Sequence, residues 1–402
     1  VPPKWPTYGQ PPVKPNRPRY PRRSAMVWLL FDIFVRAWEL INSPQFRSRV
    51  KYPNRRRRLR DIIITYPACM PPEEKERYFK QATKALGILV KEILPHDEGI
   101  NPPKLHENWD EARAVQMVFL YAATRATGLN GDQFFRMFSR TGEDGEQKLR
   151  IANLDIGGGT SDLAVIDYTH TSGLGVAIEP TLVFQDGLRV GGDDALYSLI
   201  RKYVLPQLAE YIGLQGEQLI GIINCVGNGR WTKSIQEASY WRSRWMRSLW
   251  VPLATELVAR MAGRDSELLS DAGFLCRNVC RDARALEKLS NAASLAGTPL
   301  KNPPEDCLFQ LEAEKLDKIV NEAFESDIRS LCGAAIEYAP DFVLLSGRIT
   351  AVPAVQELIF RYIPFPPQRI IFLHGYPVGD LYHLVFQDTK EMQFENFVRQ
   401  GY

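Results

Sequence analysis

Cysteine is scarce in this chain: six thiols (Cys69, Cys225, Cys276, Cys280, Cys307, Cys332) are scattered through 402 residues. Such thin usage excludes a disulfide-stapled secreted scaffold and fits a reducing, cytoplasmic compartment. Only Cys276 and Cys280 are close, and their four-residue step suits one helix face better than a zinc knuckle. The five histidines (His96, His106, His170, His374, His383) show no metal spacing and no evident Ser or Cys partner, so no nucleophile constellation emerges. Long apolar runs are missing too. The longest near the N-terminus, 25–31, stops at Asp32, far short of the roughly 20 residues that span a bilayer, and no segment reads as a secretory leader. Acids are rare in the first 60 positions, where Asp32 and Glu39 stand against 15 Lys and Arg. A formal charge of +3 therefore conceals a head of +13 and a body of −10.

What is present describes a globular chain. Apolar residues make up 45% and charged residues 24%, which excludes wholesale disorder, and the length allows two or three domains. Eight prolines in the first 21 residues favour an extended basic arm over 1–24. Val27, Leu30, Phe31, Phe34, Trp38 and Ile41 then recur with helical period, and Ser24 is the candidate N-cap. The β-branched run 61–66 predicts a buried strand, stopped by Pro67. Pro71, Pro72, Glu73 and Glu74 open a helix whose buried face would use Phe79, Ala82, Leu86, Leu89, Val90 and Ile93. A further helix is expected over 110–126, and the polar stretch 128–147 reads as a loop. Strands are predicted at 150–155, 163–168 and 175–184, and a helix at 195–205. Residues 231–331 read as mostly helical; a buried strand at 342–345, a helix at 354–362 and a short strand at 370–373 complete the order.

The most informative segment is Asn153-Leu-Asp-Ile-Gly-Gly-Gly-Thr-Ser-Asp-Leu163. A strand ending near Asp155 enters three glycines and leaves as a second strand. Glycines permit a tight turn and close approach of a ligand to successive N–H groups, an anion site suited to phosphate. Asp155 would stand at the mouth of that turn, placed to hold hydrated Mg²⁺, and the Thr160 hydroxyl could bond a phosphate oxygen. The plainer alternative is a glycine-rich hairpin with a capping Asp. No Gly-Lys-Ser/Thr follows, and a strand rather than a helix comes next, so neither a P-loop nor a Rossmann fingerprint applies.

Residues Asp155 to Asp162 resemble the second phosphate motif of the actin, sugar-kinase and heat-shock-chaperone ATPase superfamily. Ile62 to Ala68 resembles its valine-threonine-valine-proline-alanine strand, and Asp110 to Val115 its first connecting motif, with Glu111 on the glutamate. Val190-Gly-Gly-Asp-Asp194 resembles the segment opening the next lobe's helix, and Ser346-Gly347-Arg348 the adenosine motif. In detailed wording the chain is most similar to SrfB-type virulence-factor proteins. The resemblance implies an α/β, two-lobed actin-like (ribonuclease H-like) ATPase fold binding ATP and Mg²⁺ in a cleft. It implies lobe I over 25–148 and again from 370–402, and lobe II with a helical subdomain over 149–369. Gly157, Gly158, Gly159 and Thr160 would cradle phosphates, while Asp155 and Asp162 would serve the metal. Glu111 would orient the attacking water, or act simply as a helix-opening acid. Ser346, Gly347, Arg348 and Lys288 would line the adenosine; Arg284 and Ser290 are further candidates, with periodic surface charge the alternative for that helix.

The family's early Asp-x-Gly phosphate hairpin has no counterpart here, Ser346 replaces a usual glycine, and the second connecting motif near 374–379 aligns poorly. With Val1 rather than Met at its start, the chain reads as part of a longer polypeptide and is expected to be inactive alone. The leading expectation is an ATP- and Mg²⁺-binding switch with slow hydrolysis coupled to lobe closure and a protein partner. The alternatives are a degenerate scaffold and an anionic-surface or nucleic-acid binder using Arg17, Arg19, Arg22, Arg23, Lys51 and Arg55 to Arg58; nucleic acid is the less expected partner. Trp231, Tyr240, Trp241, Arg242, Arg244, Trp245, Arg247 and Trp250 form a second aromatic–basic region, either a packed face or a partner surface.

Overall fold

The structure is a computed structural model. It describes residues 22–67, 70–94, 101–107, 109–129, 131–142, 145–171, 177–228, 232, 234–263, 273–280 and 282–376. The arm before Arg22, Cys69, His96, Trp231, Arg281 and everything beyond Tyr376 lie outside the described residues. The fold is mixed α/β, and its contacts divide the chain into two units between Ala122 and Ala123. Among the described residues no helix is long and apolar enough to cross a membrane.

The first unit contains α1 (Arg22–Asn42), α2 (Pro44–Ser48), β1 (Asp61–Ile63), α3 (Pro72–Glu92), β2 (Lys104–His106) and most of α4 (Glu111–Ala126). Its core forms where Leu30 and Phe34 of α1 meet Ala82, Ala85, Leu86 and Leu89 of α3, over Ile62, Ile64 and Leu105. Helix α1 starts two residues before Ser24, so Ser24 lies in its first turn and does not cap it. The run 61–66 is not a buried strand. Asp61 to Ile63 pair in parallel with β2, Tyr66 makes an isolated parallel bridge to Asp110, and Ile63 is 56% exposed. A parallel strand becomes buried when both faces are covered. Here α1 and α3 pack with Ile62 and Ile64, which leaves the Ile63 side bare.

The second unit continues with α5 (Gly131–Phe138), β3 (Arg140–Thr141), β4 (Gln147–Ile156), β5 (Ser161–Thr171) and β6 (Ala177–Leu188). Helices α6 (Gly192–Leu199), α7 (Leu205–Ile212), α8 (Gly216–Gly227), α9 (Ile235–Trp245) and α10 (Val251–Ala262) follow. Then come β7 (Phe274–Leu275), α11 (Cys276–Val279), α12 (Ala283–Leu295), β8 (Leu308–Phe309), α13 (Ala313–Glu337), β9 (Phe342–Ser346), α14 (Pro353–Tyr362) and β10 (Ile370–Phe372). The stretch 128–147 is therefore not a loop. Phe134 and Phe135 of α5 are buried, an apolar pair that the neighbouring glycines mask in the sequence. The contacts place the unit boundary at 122/123, and β10 pairs with β9 in this unit's sheet; most of the expected return to lobe I over 370–402 lies outside the described residues. Single π-helical turns join α6 to α7 and α9 to α10. Each precedes a proline, Pro206 or Pro252, whose ring would clash with the carbonyl four residues back in a regular α-helix.

The main sheet has the order β10-β9-β4-β5-β6, with β3 beside β4. Strands β10, β9 and β4 are parallel, while β5 and β6 run antiparallel to their neighbours. Ala152, Leu154, Ile156, Leu163 and Val165 enter a core shared with α6, α7, α10, α12, α13 and α14. At the end of the sheet where β4 begins, Arg150 organises the strands. Its guanidinium donates to both Asp167 oxygens (2.6 and 2.8 Å) and to Tyr338 O (2.9 Å), while its amide donates to Asp341 Oδ2 (2.8 Å). These bonds fix β4 between β5 and β9. Asp167→Ala would leave a mostly buried guanidinium without its bidentate acceptor, and we expect a loss of about 2–3 kcal/mol in urea unfolding, with Asp167→Asn less severe.

Candidate functional site

Most of the candidate residues gather where the parallel strands β4 and β9 both end. In the register, Asp155 of β4 lies opposite Ser346 of β9 on one side and opposite Asp162 of β5 on the other. Directly opposed residues share a sheet face, so Ser346, Asp155 and Asp162 form a row across three strands. Asn153, two residues earlier on the same face, is buried with its amide 3.4 Å from Ser346 Oγ.

The electrostatics of this row are strained. Burial raises the Asp155 pKa above its ordinary value; a hydrogen bond from Ser346 opposes the rise and the Asp162 charge adds to it. Asp162 Oδ2 accepts from Thr160 Oγ1 at 3.1 Å, whereas Oδ1 is buried with no hydrogen-bond partner among the described residues. An unmatched buried carboxylate oxygen is costly unless a cation or water completes it. Two carboxylates, one raised and one incompletely bonded, are a donor set that fits Mg²⁺, an ion commonly held by one or two carboxylates with its remaining positions left to water and phosphate. Among the described residues no group of three or more His, Cys, Asp or Glu is placed to hold a metal ion.

Above the row, Gly158 and Gly159 form the tip of the β4–β5 hairpin, closed by Gly157 N–H donating to Thr160 O at 2.9 Å. None of the three glycines has left-handed backbone. A Cβ at Gly159 would meet nothing within 4 Å, so the turn is open there. The loop carbonyls, by contrast, are engaged. Gly157 O accepts from Gly192 N–H (2.8 Å) and Gly158 O from Asp193 N–H (2.7 Å), both at the start of α6. In a trans peptide the carbonyl and the following N–H point in opposite directions. The amides of Gly158 and Gly159 are therefore directed away from α6, on the exposed side of the loop, and make no hydrogen bond among the described residues. Two adjacent outward amides beside a helix N-terminus can accept an anion.

Two other turns hold this one in place. A Cβ at Gly191 would lie 2.5 Å from Gly158 O, and one at Gly347 would lie 2.0 Å from Ile156 O. Gly347 also has φ +94°, a backbone that favours glycine. Asp194 Oδ2 accepts from Gly191 N–H (2.9 Å), Ser161 Oγ donates to Val190 O (2.7 Å), and buried Thr350 donates to Gly347 O (2.7 Å). Sequence reasoning missed Asn153, Ser161, Asp194 and Thr350. Gly191-Gly192 was the available signal, since paired glycines mark close backbone approach.

The structure thus brings together Asp155, Gly157, Gly158, Gly159, Thr160, Asp162, Ser346 and Gly347, with exposed Arg348 beginning the turn after Gly347. Lys288 on α12 is engaged elsewhere. Its Nζ lies 3.6 Å from Glu237 and 5.4 Å from the centre of the Trp241 ring. Glu111 belongs to the first unit, where Asp110 caps α4 through Arg113 N–H (2.7 Å), Glu111 N–H donates to Tyr66 O (2.9 Å), and the carboxylate adds to the burial that raises the Tyr78 pKa. The aromatic–basic region mostly packs. Trp245 and Trp250 are buried, Trp245 Nε1 donates to Ala285 O (2.9 Å), and Arg244 makes a bidentate pair with Asp282 (2.6 and 2.7 Å). Cys276, Cys280 and Cys307 are buried thiols, and burial raises the pKa of all three, that of Cys307 to about 12.

The sequence model of the family described as virulence factor SrfB matches residues 10–393. The chain belongs to the SrfB family. A search of curated proteins finds no match.

Substitutions can separate backbone fit from charge. Gly347→Ala should cost about 2–5 kcal/mol or prevent folding, because it combines a steric clash with disfavoured backbone. Gly333→Ala, in open space inside α13, should be neutral or stabilising by up to about 1 kcal/mol, as compared by urea unfolding. The folded state holds the Asp155 proton more tightly than the unfolded chain does. Stability should therefore fall as pH rises from below the ordinary carboxylate range through the raised pKa. Asp155→Asn should raise the melting temperature at neutral pH, by about 2–4 °C for each ~1 kcal/mol relieved.

Proposed function

For this member of the SrfB family we propose a Mg²⁺-dependent ATP-binding module of the two-lobed, actin-like ATPase kind, a switch that hydrolyses slowly and couples lobe closure to a protein partner. The observation that carries this reading is the pair of outward amides at Gly158 and Gly159 placed over Asp155 and Asp162. Support also comes from the location, since ligands of α/β sheets bind beyond the carboxyl ends of parallel strands.

In this reading Gly157, Gly158, Gly159 and Thr160 hold the terminal phosphates, with the Thr160 hydroxyl turning from Asp162 toward an oxygen. Asp155 and Asp162 would hold Mg²⁺, which when bound supplies positive charge against the phosphates. Ser346, Gly347 and Arg348 would flank the nucleoside. Phosphoryl transfer to water depends on positioning and charge neutralisation more than on covalent chemistry. The raised Asp155 pKa has a direct consequence here: metal affinity should rise with pH as that carboxyl ionises.

One observation favours a second reading, a degenerate scaffold that retains the phosphate cradle without a nucleoside clamp. Lys288, one of the residues expected to line the adenosine, lies beside Glu237 and the Trp241 ring.

Calorimetry on the intact polypeptide separates the two. The nucleotide reading expects Mg-ATP to bind more tightly than magnesium tripolyphosphate, with both lost in Asp155→Ala. Equal binding of the two ligands would favour the scaffold, and no binding of either would overturn the cradle itself.

A further inference from the structure

The first unit carries chemistry that the nucleotide reading does not use. Helix α1 is apolar on more of its circumference than its packing requires. Val27, Leu30, Phe31 and Phe34 pack with α3, yet Met26 (37%), Leu29 (55%), Ile33 (49%) and Leu40 (52%) form a second, exposed stripe at helical spacing, and Trp28 is 56% exposed. From Met26 to Leu40 the stripe spans 15 residues, a rise of about 21 Å. Single exposed apolar residues need no explanation, but a continuous aliphatic stripe does.

The chain that follows α1 is strongly basic. Between positions 22 and 60 there are eleven Lys and Arg but two acids, Asp32 and Glu39. Asp32 is already paired with Arg36 at 2.8 Å, and Asp61, the next acid along, is shared by Arg60 (2.6 Å) and His106 (2.8 Å). The arginine segment is also anchored. Asn42 at the end of α1 accepts from Arg57 N–H (2.9 Å) and donates to Arg57 O (3.1 Å), which ties the segment back to the helix. Arg55 lies over the Tyr52 ring, and Arg55, Arg56 and Arg58 are exposed.

We propose that α1 and the arginine segment 47–60 dock the first unit on an anionic lipid surface, with the stripe entering the boundary between headgroups and acyl chains. The charge selects the occupant. A second copy would bring the same positive segment against itself, which like-charge repulsion disfavours. Nucleic acid would meet the arginines but has no place for an aliphatic stripe, and the one aromatic ring among them, Tyr52, is covered by Arg55. An anionic bilayer offers negative charge and an apolar layer side by side.

The test is sedimentation of the full chain with phosphatidylcholine vesicles, with and without phosphatidylserine. Binding should be at least about tenfold tighter with phosphatidylserine and should weaken as salt rises. Leu29→Glu with Ile33→Glu should abolish it, and Arg55→Glu with Arg56→Glu should reduce it about tenfold or more. All four positions are exposed, so circular dichroism and melting should match the unaltered chain. Equal binding to both vesicles, or none, overturns the proposal. So does a stripe variant that binds normally, retention of duplex DNA in place of vesicles, or a concentration-dependent dimer that the stripe variant abolishes.

Discussion

The second unit is organised by a backbone contact closer than a side chain would allow. Gly347 passes Ile156 O and Gly191 passes Gly158 O at separations where even a methyl group would collide. Those two contacts lock three turns, from three distant stretches of chain, onto the end of one sheet. The amides of α6 then bind the loop carbonyls, and peptide planarity turns the next amides outward. The helix N-terminus is thus a buttress. It orients the outward amides of the hairpin, whose direction follows from backbone geometry alone.

The same constraint explains what could be read in advance. The hairpin was legible because Asp155 to Asp162 is a local signal: a strand, three glycines and a strand within a dozen residues. Ser346 opposite Asp155 depends on a parallel register spanning about 190 positions, which resemblance placed in order and periodicity could not set. Lys288 illustrates the limit. The resemblance offers it as an adenosine contact, with periodic surface charge on α12 the alternative; its partners Glu237 and Trp241 come from α9, and helix packing is not written in the local pattern. Residues 61–66 failed for the opposite reason. β-Branched composition favours a strand, but burial needs covering layers, and this unit pairs the strand with a single neighbour.

Glycine punctuation misled in one place and informed in another. Between 128 and 147 the glycines flank α5 and β3 and conceal Phe134 and Phe135, which are buried in the second unit. At 191 and 347 the same residue type marks points where chains must touch. The distinction lies in what surrounds the missing side chain, open space or a carbonyl oxygen. Composition alone cannot supply that.

The two units carry unsatisfied chemistry of different kinds. In the second, Asp162 Oδ1 is buried without a partner among the described residues and Asp155 is pushed toward its protonated form, so the fold holds charge that a cation would stabilise. Groups that weaken a fold are retained where a ligand compensates for them, and such pKa perturbation clusters at functional sites. In the first, the surplus is apolar area beside positive charge on a helix whose opposite face already forms a core. Neither surplus follows from the packing around it. A small, hard cation or ordered water would complete the carboxylates; an extended apolar layer with negative charge at its edge would cover the stripe. The two demands are chemically distinct, so the nucleotide and membrane proposals concern separate surfaces of the chain.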